Sequence, residues 1–393
     1  MVRKISKGDS FLSLLSLLEH LQSKDLRFRT ISVRAFTDCS IACYPLHKFR
    51  DWYIKNPRPW VRPIQIVMTR LLHVTLTTLH EYLGLSVELL RRRADEKRML
   101  TDDRHRYIPA ALNVMKSHSK IKSRRRHPSS SDESNEQQTV AAKMFADALG
   151  LGTSPESIEL IQTRIDIVTI AENIIFIEEN SEEEKLYLVV NGCAEIFQTH
   201  PLEDDQGEDD LKVLVHPREL IGGLQLLTSE PAFYSSRSYT QVTLAVMDKQ
   251  SFSELLDRRP EIILPVALSV THRLSSFVTT VDFAIDWVLL ESGQAVYRIG
   301  DEADSIFTVL SGRLRSVDNK VVIEEFGRGD MLGMIEVLQG TPRKTTVLAT
   351  RFSQLARIPE GLLNFVKMQF PQVSFYIYQV LTATCKLLFI YCP

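Results

Sequence analysis

The chain has 393 residues, of which 44% are hydrophobic, enough for two or three domains with cores of their own. A formal net charge of -2 supplies no global field for nucleic acid or an anionic membrane surface. Five cysteines, Cys39, Cys43, Cys193, Cys385 and Cys392, are odd in number and lack CxxC spacing, which argues against a disulfide framework or a metal site and for reduced thiols in a cytosolic setting.

The chain opens on "MVRKISKGDSFLSLLSLLEHL", where basic residues precede an apolar stretch as they would in a signal peptide. Three serines within that stretch, then Glu19 and His20, and no small-residue cleavage site, weigh against secretion. Farther on, Cys39 and Cys43 read as core strand content. Ile64 to Leu90 is the most apolar segment, but Arg70, His73, His80, Glu81 and Glu88 interrupt it, which predicts an amphipathic helix; no stretch supplies the roughly 20 nearly uncharged apolar residues of a transmembrane helix. From Arg91 to Val140 the composition turns to "RRRADEKR" and "KIKSRRRHPSSSDESNEQQ", which predicts a disordered linker. Arg124 to Arg126 before the serines equally suit a kinase site, whose phosphates could pair back onto those arginines, or a plain solvated linker.

Beyond the linker, β-branched runs such as "IDIVTIAENIIFIEE", "KLYLVVNGCAEIF" and "QVTLAVMD" alternate with turn residues, and "SFSELLDRRPEIILPVALSVTHRLSSFV" then reads as helix. About eight short strands followed by helices predict a mainly β fold, a barrel or jelly roll with helical flanks. The pattern occurs twice. Gly222 in "ELIGGLQLLTSEP" and Gly333 in "DMLGMIEVLQGTP" are 111 residues apart, and each is followed 38 residues later by a proline, Pro260 and Pro371. Gly192 and Gly312 end corresponding strands, and the longer first unit carries the acidic tract "PLEDDQGEDD", expected on a solvated hairpin tip. Twelve residues before those two glycines stand Asn180 and Gly300, the two residue types that most readily accept positive φ, so one backbone turn is predicted in both units.

An incomplete third copy opens the chain: "KGDSFLSLLSLLEHL" parallels "RGDMLGMIEVLQGTP", without the upstream strands. It reads as a fragment, an alternative transcript or an incomplete gene model, because half a barrel leaves open sheet edges. The expected boundaries are a remnant at 1–90, a linker at 91–140, and domains at 141–280 and 281–393.

"YRIGDEADSIFTVLSGRLRSV" and "LGMIEVLQGTPRKTT" resemble the strands and the phosphate-binding cassette of cyclic-nucleotide-binding domains. Together with "SLLSLLEHLQSKDL", "IGGLQLLTSEPAFY" and "VDFAIDWV", they resemble the regulatory half of the neuropathy target esterase family of patatin-like lysophospholipases. That resemblance implies tandem cyclic-nucleotide-binding-like barrels and, in full-length members, an anchor on the cytosolic face of the endoplasmic reticulum and a catalytic patatin domain with a G-x-S-x-G serine. The 393 residues contain no G-x-S-x-G, so this chain is expected to be a cytoplasmic, non-enzymatic regulatory or scaffold segment whose partner is a patatin domain or another protein. No helix-turn-helix pattern follows Leu381 to suggest nucleic-acid binding.

The resemblance also implies how a cassette would hold cyclic AMP or cyclic GMP: backbone N–H groups at a short helix, a glutamate after the glycine for the ribose 2′-hydroxyl, and an arginine for the phosphate. Gly333 and Arg343 occupy family positions in the last unit, with Thr345 beyond. Met334 stands where the glutamate belongs, and Glu336, two residues on, does not share its helical face. In the middle unit Gly222 is followed by Gly223 at the glutamate position, and Ala232 stands at the arginine position; Leu12 and Ser13 are the remnant's counterparts. The pockets therefore read as degenerate, needing no cofactor, with two competing readings: a nucleotide sensor through Arg343, or a fragment of a full lysophospholipase acting in phospholipid metabolism. Taken singly, Arg343 could be a solvated arginine after a proline turn, Glu336 a helix-surface residue, His272 a surface or packed histidine, and Trp287 a packing residue between the domains or a base-stacking one.

Overall fold

The computed structural model describes residues 14–22, 33–43, 45–86, 88–91, 131–198, 213–318 and 321–377. Helices Leu14–Gln22, Leu46–Lys55 and Val61–Arg70 form the N-terminal part, and the last continues through wider π turns over Leu71–Leu76 and Thr78–Tyr82. The amphipathic expectation holds over Val61–Arg70, where Ile64, Val67 and Met68 are buried and Gln65 and Ile66 are not; from Leu71 to Tyr82 the run is buried on nearly all sides, Thr75, Thr78 and His80 included, and the helical part ends at Tyr82 rather than Leu90. Cys39 and Cys43 depart from expectation, being exposed in a stretch without strand pairing. No described strand lies beside residues 33–43 to complete a ladder.

Ser131–Ala148 is a helix, so residues 131–140 of the stretch expected as linker are ordered. Ala141, Ala142, Phe145, Ala146 and Leu149 make a buried stripe at helical spacing. Residues 92–130 of that linker, with Arg124 to Arg126, Ser129 and Ser130 among them, the tract "PLEDDQGEDD", Leu12, Ser13 and the tail after Leu381 lie outside the described residues.

The middle unit contains β1 (Asp166–Ile170), β2 (Ile175–Ile177), β3 (Lys185–Asn191), β4 (Ala194–Phe197), β5 (Val213–Val215), β6 (Leu220–Ile221), β7 (Ser235–Ser238) and β8 (Val242–Asp248). These form two antiparallel sheets, β1-β8-β3-β6 and β2-β7-β4-β5. The last unit contains β9 (Asp286–Leu290), β10 (Ala295–Tyr297), β11 (Ser305–Ser311), β12 (Leu314–Asp318), β13 (Val321–Phe326), β14 (Met331–Leu332), β15 (Thr346–Ala349) and β16 (Ser353–Pro359). Its sheets, β9-β16-β11-β14 and β10-β15-β12-β13, repeat the same order strand for strand. The acidic tract joins β4 and β5, which pair antiparallel from Ala194↔Val215 to Ile196↔Val213.

Strand alternation builds two kinds of core from single strands. On β3, Tyr187 and Val189 face the middle barrel interior while Leu186 and Leu188 join a large core shared with the helices. On β11, Phe307 and Val309 face the last barrel interior and Ile306 joins the same shared core. Asn180 and Gly300 adopt φ of +63° and +85°, the turn expected in both units.

Arg70 fastens the N-terminal helices to the segment between the barrels. Its Nη1 meets Asp282 Oδ1 at 2.8 Å, and its Nη2 donates to the carbonyls of Asp282 at 2.9 Å and Ile285 at 2.8 Å.

Candidate ligand-binding cassettes

In the last barrel the cassette follows β14. Gly333, at φ +69°, starts helix Met334–Gln339, and the chain returns through Arg343 into β15. Arg343 is held by its backbone before its side chain is considered: its N–H donates to Asp301 O at 2.9 Å, and its carbonyl accepts from Gly300 N at 2.9 Å. That exchange uses the positive-φ turn at Gly300 and sets the root of the side chain at the barrel wall.

The guanidinium then turns inward and is only 2% exposed, which excludes the solvated arginine of the single-residue reading. Nη1 donates to Gly333 O at 2.8 Å, and Nη2 donates to Ser305 O. Its central carbon lies 4.3 Å from the Tyr297 ring centroid and 6.0 Å from that of Phe307. Burial lowers the Arg343 pKa, while Tyr297, Glu336, Asp304 and Asp301 oppose that shift. Nε is buried without a hydrogen-bond partner. A Cβ on Gly333 would run into Nη1, so glycine is required there by close approach as well as by φ.

Met334 is 4% exposed and belongs to the shared core, with no acceptor to offer a hydroxyl beyond a weak thioether. Glu336 is half-buried and makes no ion pair with Arg343, although its charge acts on both Arg343 and Tyr297. Thr345 is half-buried in the bend before β15. The structure thus brings Gly333 and Arg343 into contact and turns Met334 away from them into the core.

In the middle barrel Gly222, at φ +86°, starts helix Gly223–Thr228. A Cβ on Gly223 would stand 3.0 Å from Val266 Cγ1 and 3.4 Å from Ser269 Oγ, so helix Ile263–Thr271 already occupies the direction a side chain would take. Ala232 is buried. Its carbonyl accepts from Asn180 N at 2.8 Å and its N–H donates to Ser181 O at 2.9 Å, the same exchange that roots Arg343. The backbone frame persists where the charge is missing.

One feature was missed by reading the chain as separate units: the N-terminal part covers the middle cassette. Leu76 and Leu90 meet Ile196, Phe233, Tyr234 and Leu274 around an apolar cavity of about 20 Å³, room for about one water. Arg91 N donates to Arg273 O at 2.7 Å and Ser275 N to Leu89 O at 2.9 Å, pinning that cover along the following helix. His80 sits edge-on to Phe233 at 5.7 Å, and His73 Nε2 lies 3.0 Å from Glu230 Oε1. The available signal was the apolar face of Ile64 to Leu90, which needed a partner.

Trp287, on β9, packs partly buried against the shared core, and His272 is exposed after helix Ile263–Thr271. Among the described residues no group of three or more His, Cys, Asp or Glu side chains could hold a metal, and no helix is long and apolar enough to cross a membrane.

Residues 167–259 and 287–368 match the cyclic nucleotide-binding domain family. The patatin-like phospholipase domain-containing protein ZK370.4 of Caenorhabditis elegans is 49% identical over 97% of this chain and 29% of its own length. A second protein of that worm, the putative patatin-like phospholipase domain-containing protein M110.7, is 32% identical over 95% of this chain and 32% of its own. Neuropathy target esterase sws of Drosophila virilis is 28% identical over 95% of this chain and 31% of its own. The chain therefore spans about a third of the length of these relatives.

Proposed function

This chain belongs with the neuropathy target esterase and patatin-like phospholipase domain-containing proteins, as a region bearing cyclic nucleotide-binding domains, and from that premise we propose that it is a non-catalytic regulatory or scaffold segment with degenerate nucleotide cassettes. The observation that carries this reading is the state of Arg343. The single cation at the phosphate position is 2% exposed, and its two terminal nitrogens donate to the carbonyls of Gly333 and Ser305. A phosphate would have to displace those bonds, and Met334 beside it cannot hold a ribose hydroxyl as a glutamate would.

The middle cassette supports the same reading. Ala232 brings no charge, Gly223 is backed by Val266, and the N-terminal part closes over the mouth. Losing a charge-assisted hydrogen bond costs about 1.5–3 kcal/mol, so two such losses weaken binding roughly a hundredfold or more. Cyclic AMP and cyclic GMP do not fit these residues well enough to act as signals.

Regulation would then run through docking, on a catalytic patatin domain or on another protein partner, at the cytosolic face of the endoplasmic reticulum. Any lysophospholipid hydrolysis belongs to such a domain, since the 393 residues include no G-x-S-x-G. Isothermal titration of the whole chain with cyclic AMP and cyclic GMP tests the proposal; a dissociation constant below about 10 μM would overturn it.

The second reading, a nucleotide sensor through Arg343, is favoured by one observation: Nε is buried with no partner, a donor still to be used. In that case Arg343→Ala abolishes nucleotide binding; in the degenerate reading it changes nothing in the titration.

A further inference from the structure

The end of the last barrel opposite its cassette carries an open cleft of about 440 Å³, lined by Arg313, Arg328, Arg351, Glu325 and Asp330. Arg343 of the cassette bonds at the Ser305 end of β11, whereas Ser311 and Gly312 at the other end line the cleft. Neither Gly333 nor Arg343 lines the cleft, although Asp330 there stands only three residues before Gly333.

The repeat supplies a control within the same molecule. Backbone bonds place the corners in register: Arg218 N donates to Val189 O as Gly329 N does to Val309 O, and Tyr239 N donates to Cys193 O as Thr350 N does to Arg313 O. The N–H of His216 reaches the Glu219 carboxylate at 3.1 Å, as that of Gly327 reaches Asp330 at 2.7 Å. Position by position, Arg313, Arg328 and Arg351 therefore stand where the middle barrel has Cys193, Pro217 and Thr240. None of these three positions carries a cation in the middle barrel, whose corner has the exposed Arg218 one position farther on, opposite Gly329.

The two corners also differ in space. In the middle barrel Cys193 Sγ lies 3.2 Å from His216 Nδ1, so side chains meet across the corner. In the last barrel Gly327 replaces the histidine and has no side chain to reach over, which leaves the cleft open to its arginines. Arg313 pairs with Glu325 at 2.8 Å, but both side chains are more than half exposed and can part at small cost. Asp330 is engaged by the Gly327 N–H, Arg351 makes one long bond of 3.3 Å to Gly312 O, and Arg328 makes no hydrogen bond or ion pair among the described residues. Glu81, which feels the Arg328 charge, faces it from the N-terminal part.

We propose that this cleft binds a phosphomonoester, with Arg328 and Arg351 as its principal contacts and Arg313 joining once Glu325 swings out. Guanidinium forks match phosphate oxygens in pairs, and a phosphomonoester brings close to two negative charges against a lining that is net positive by one. The group could be carried by a soluble metabolite or by a lipid headgroup, and the chemistry recognised is the same.

The test uses the whole 393-residue chain at low salt with two probes: inorganic phosphate followed by calorimetry, and phosphatidylcholine vesicles containing phosphatidic acid followed by co-sedimentation. Binding of phosphate alone supports a soluble ligand, and binding of the vesicles supports a headgroup. In either case Arg328→Glu and Arg351→Glu, both at exposed positions, weaken binding roughly tenfold or more each while leaving the circular dichroism spectrum unchanged. Failure of both probes to bind overturns the proposal, as does binding that survives the double substitution. Equal affinity for vesicles in which phosphatidylglycerol, a diester, replaces phosphatidic acid overturns the phosphomonoester assignment.

Discussion

Arg70 and Asp282, 212 residues apart in sequence, meet at 2.8 Å with Asp282 fully buried and Arg70 14% exposed. Thr75 Oγ1 donates to the same Oδ1 at 2.7 Å, so one carboxylate oxygen gathers two elements of the N-terminal helix. Removing either charge leaves the other without its partner in a buried setting. Arg70→Ala and Asp282→Ala should each destabilise the chain by about 3–5 kcal/mol, measured by urea unfolding. Thr75→Val should cost only about 1 kcal/mol, because a neutral donor is lost and the ion pair stays. If Arg70→Ala and Thr75→Val cost the same, the pair does not hold the N-terminal helices to the inter-barrel segment.

Two glycines around the short helix of the last cassette separate strain from contact. Gly333 and Gly340 adopt similar positive φ, +69° and +62°, but a Cβ at Gly340 meets nothing within 4 Å, whereas at Gly333 it strikes the Arg343 guanidinium. Gly340→Ala should cost about 1–2 kcal/mol, the left-handed penalty alone. Gly333→Ala carries the same penalty and must also push Arg343 off its carbonyls, so its melting temperature should fall clearly further. Equal shifts in the two variants would show that Arg343 does not lie against Gly333.

The features legible in the sequence are those fixed by local backbone geometry. Asn180 and Gly300 marked a positive-φ turn, and the structure has it at both positions, each handing its N–H to the residue at the arginine position. The glycines Gly222 and Gly333 likewise located both cassette helices. The inward turn of Arg343 was not legible, because Tyr297 and Phe307, which form its walls, are distant in sequence and meet it only once the barrel closes. Cys39 and Cys43 were misjudged for a related reason: β-rich letters make a strand only beside another strand, and none of those described is there.

The tyrosine under Arg343 titrates late. Burial raises the Tyr297 pKa from 10.0 to about 12, with Arg343 pulling the other way. Tyr82, in the N-terminal helix, is likewise raised to about 12, chiefly by burial. A phenol whose folded pKa lies above its unfolded value contributes stability that is complete below pH 10.0 and is lost as the pH rises toward about 12. Phenolate absorbance should therefore show a late-ionising group that Tyr297→Phe removes. If Tyr297→Phe leaves the late part of the titration unchanged, the ring is not buried under the guanidinium.

Coverage of the middle cassette by the N-terminal part is testable through His80 and Phe233. Their rings meet edge-on at 5.7 Å, one on the π turn Thr78–Tyr82 and the other beside Ala232, and Ser86 Oγ lies 2.9 Å from His80 Nδ1 to hold the imidazole in place. Each alanine substitution will destabilise for reasons of its own, so single variants decide nothing. The double-mutant cycle isolates the contact, and an edge-on aromatic pair of this kind should couple by about 0.5–1.5 kcal/mol. Ser86→Ala should shrink that coupling by loosening the ring that makes it. A coupling indistinguishable from zero would mean that the N-terminal helix does not rest on the cassette, and the middle pocket would then be open to whatever its apolar lining accepts.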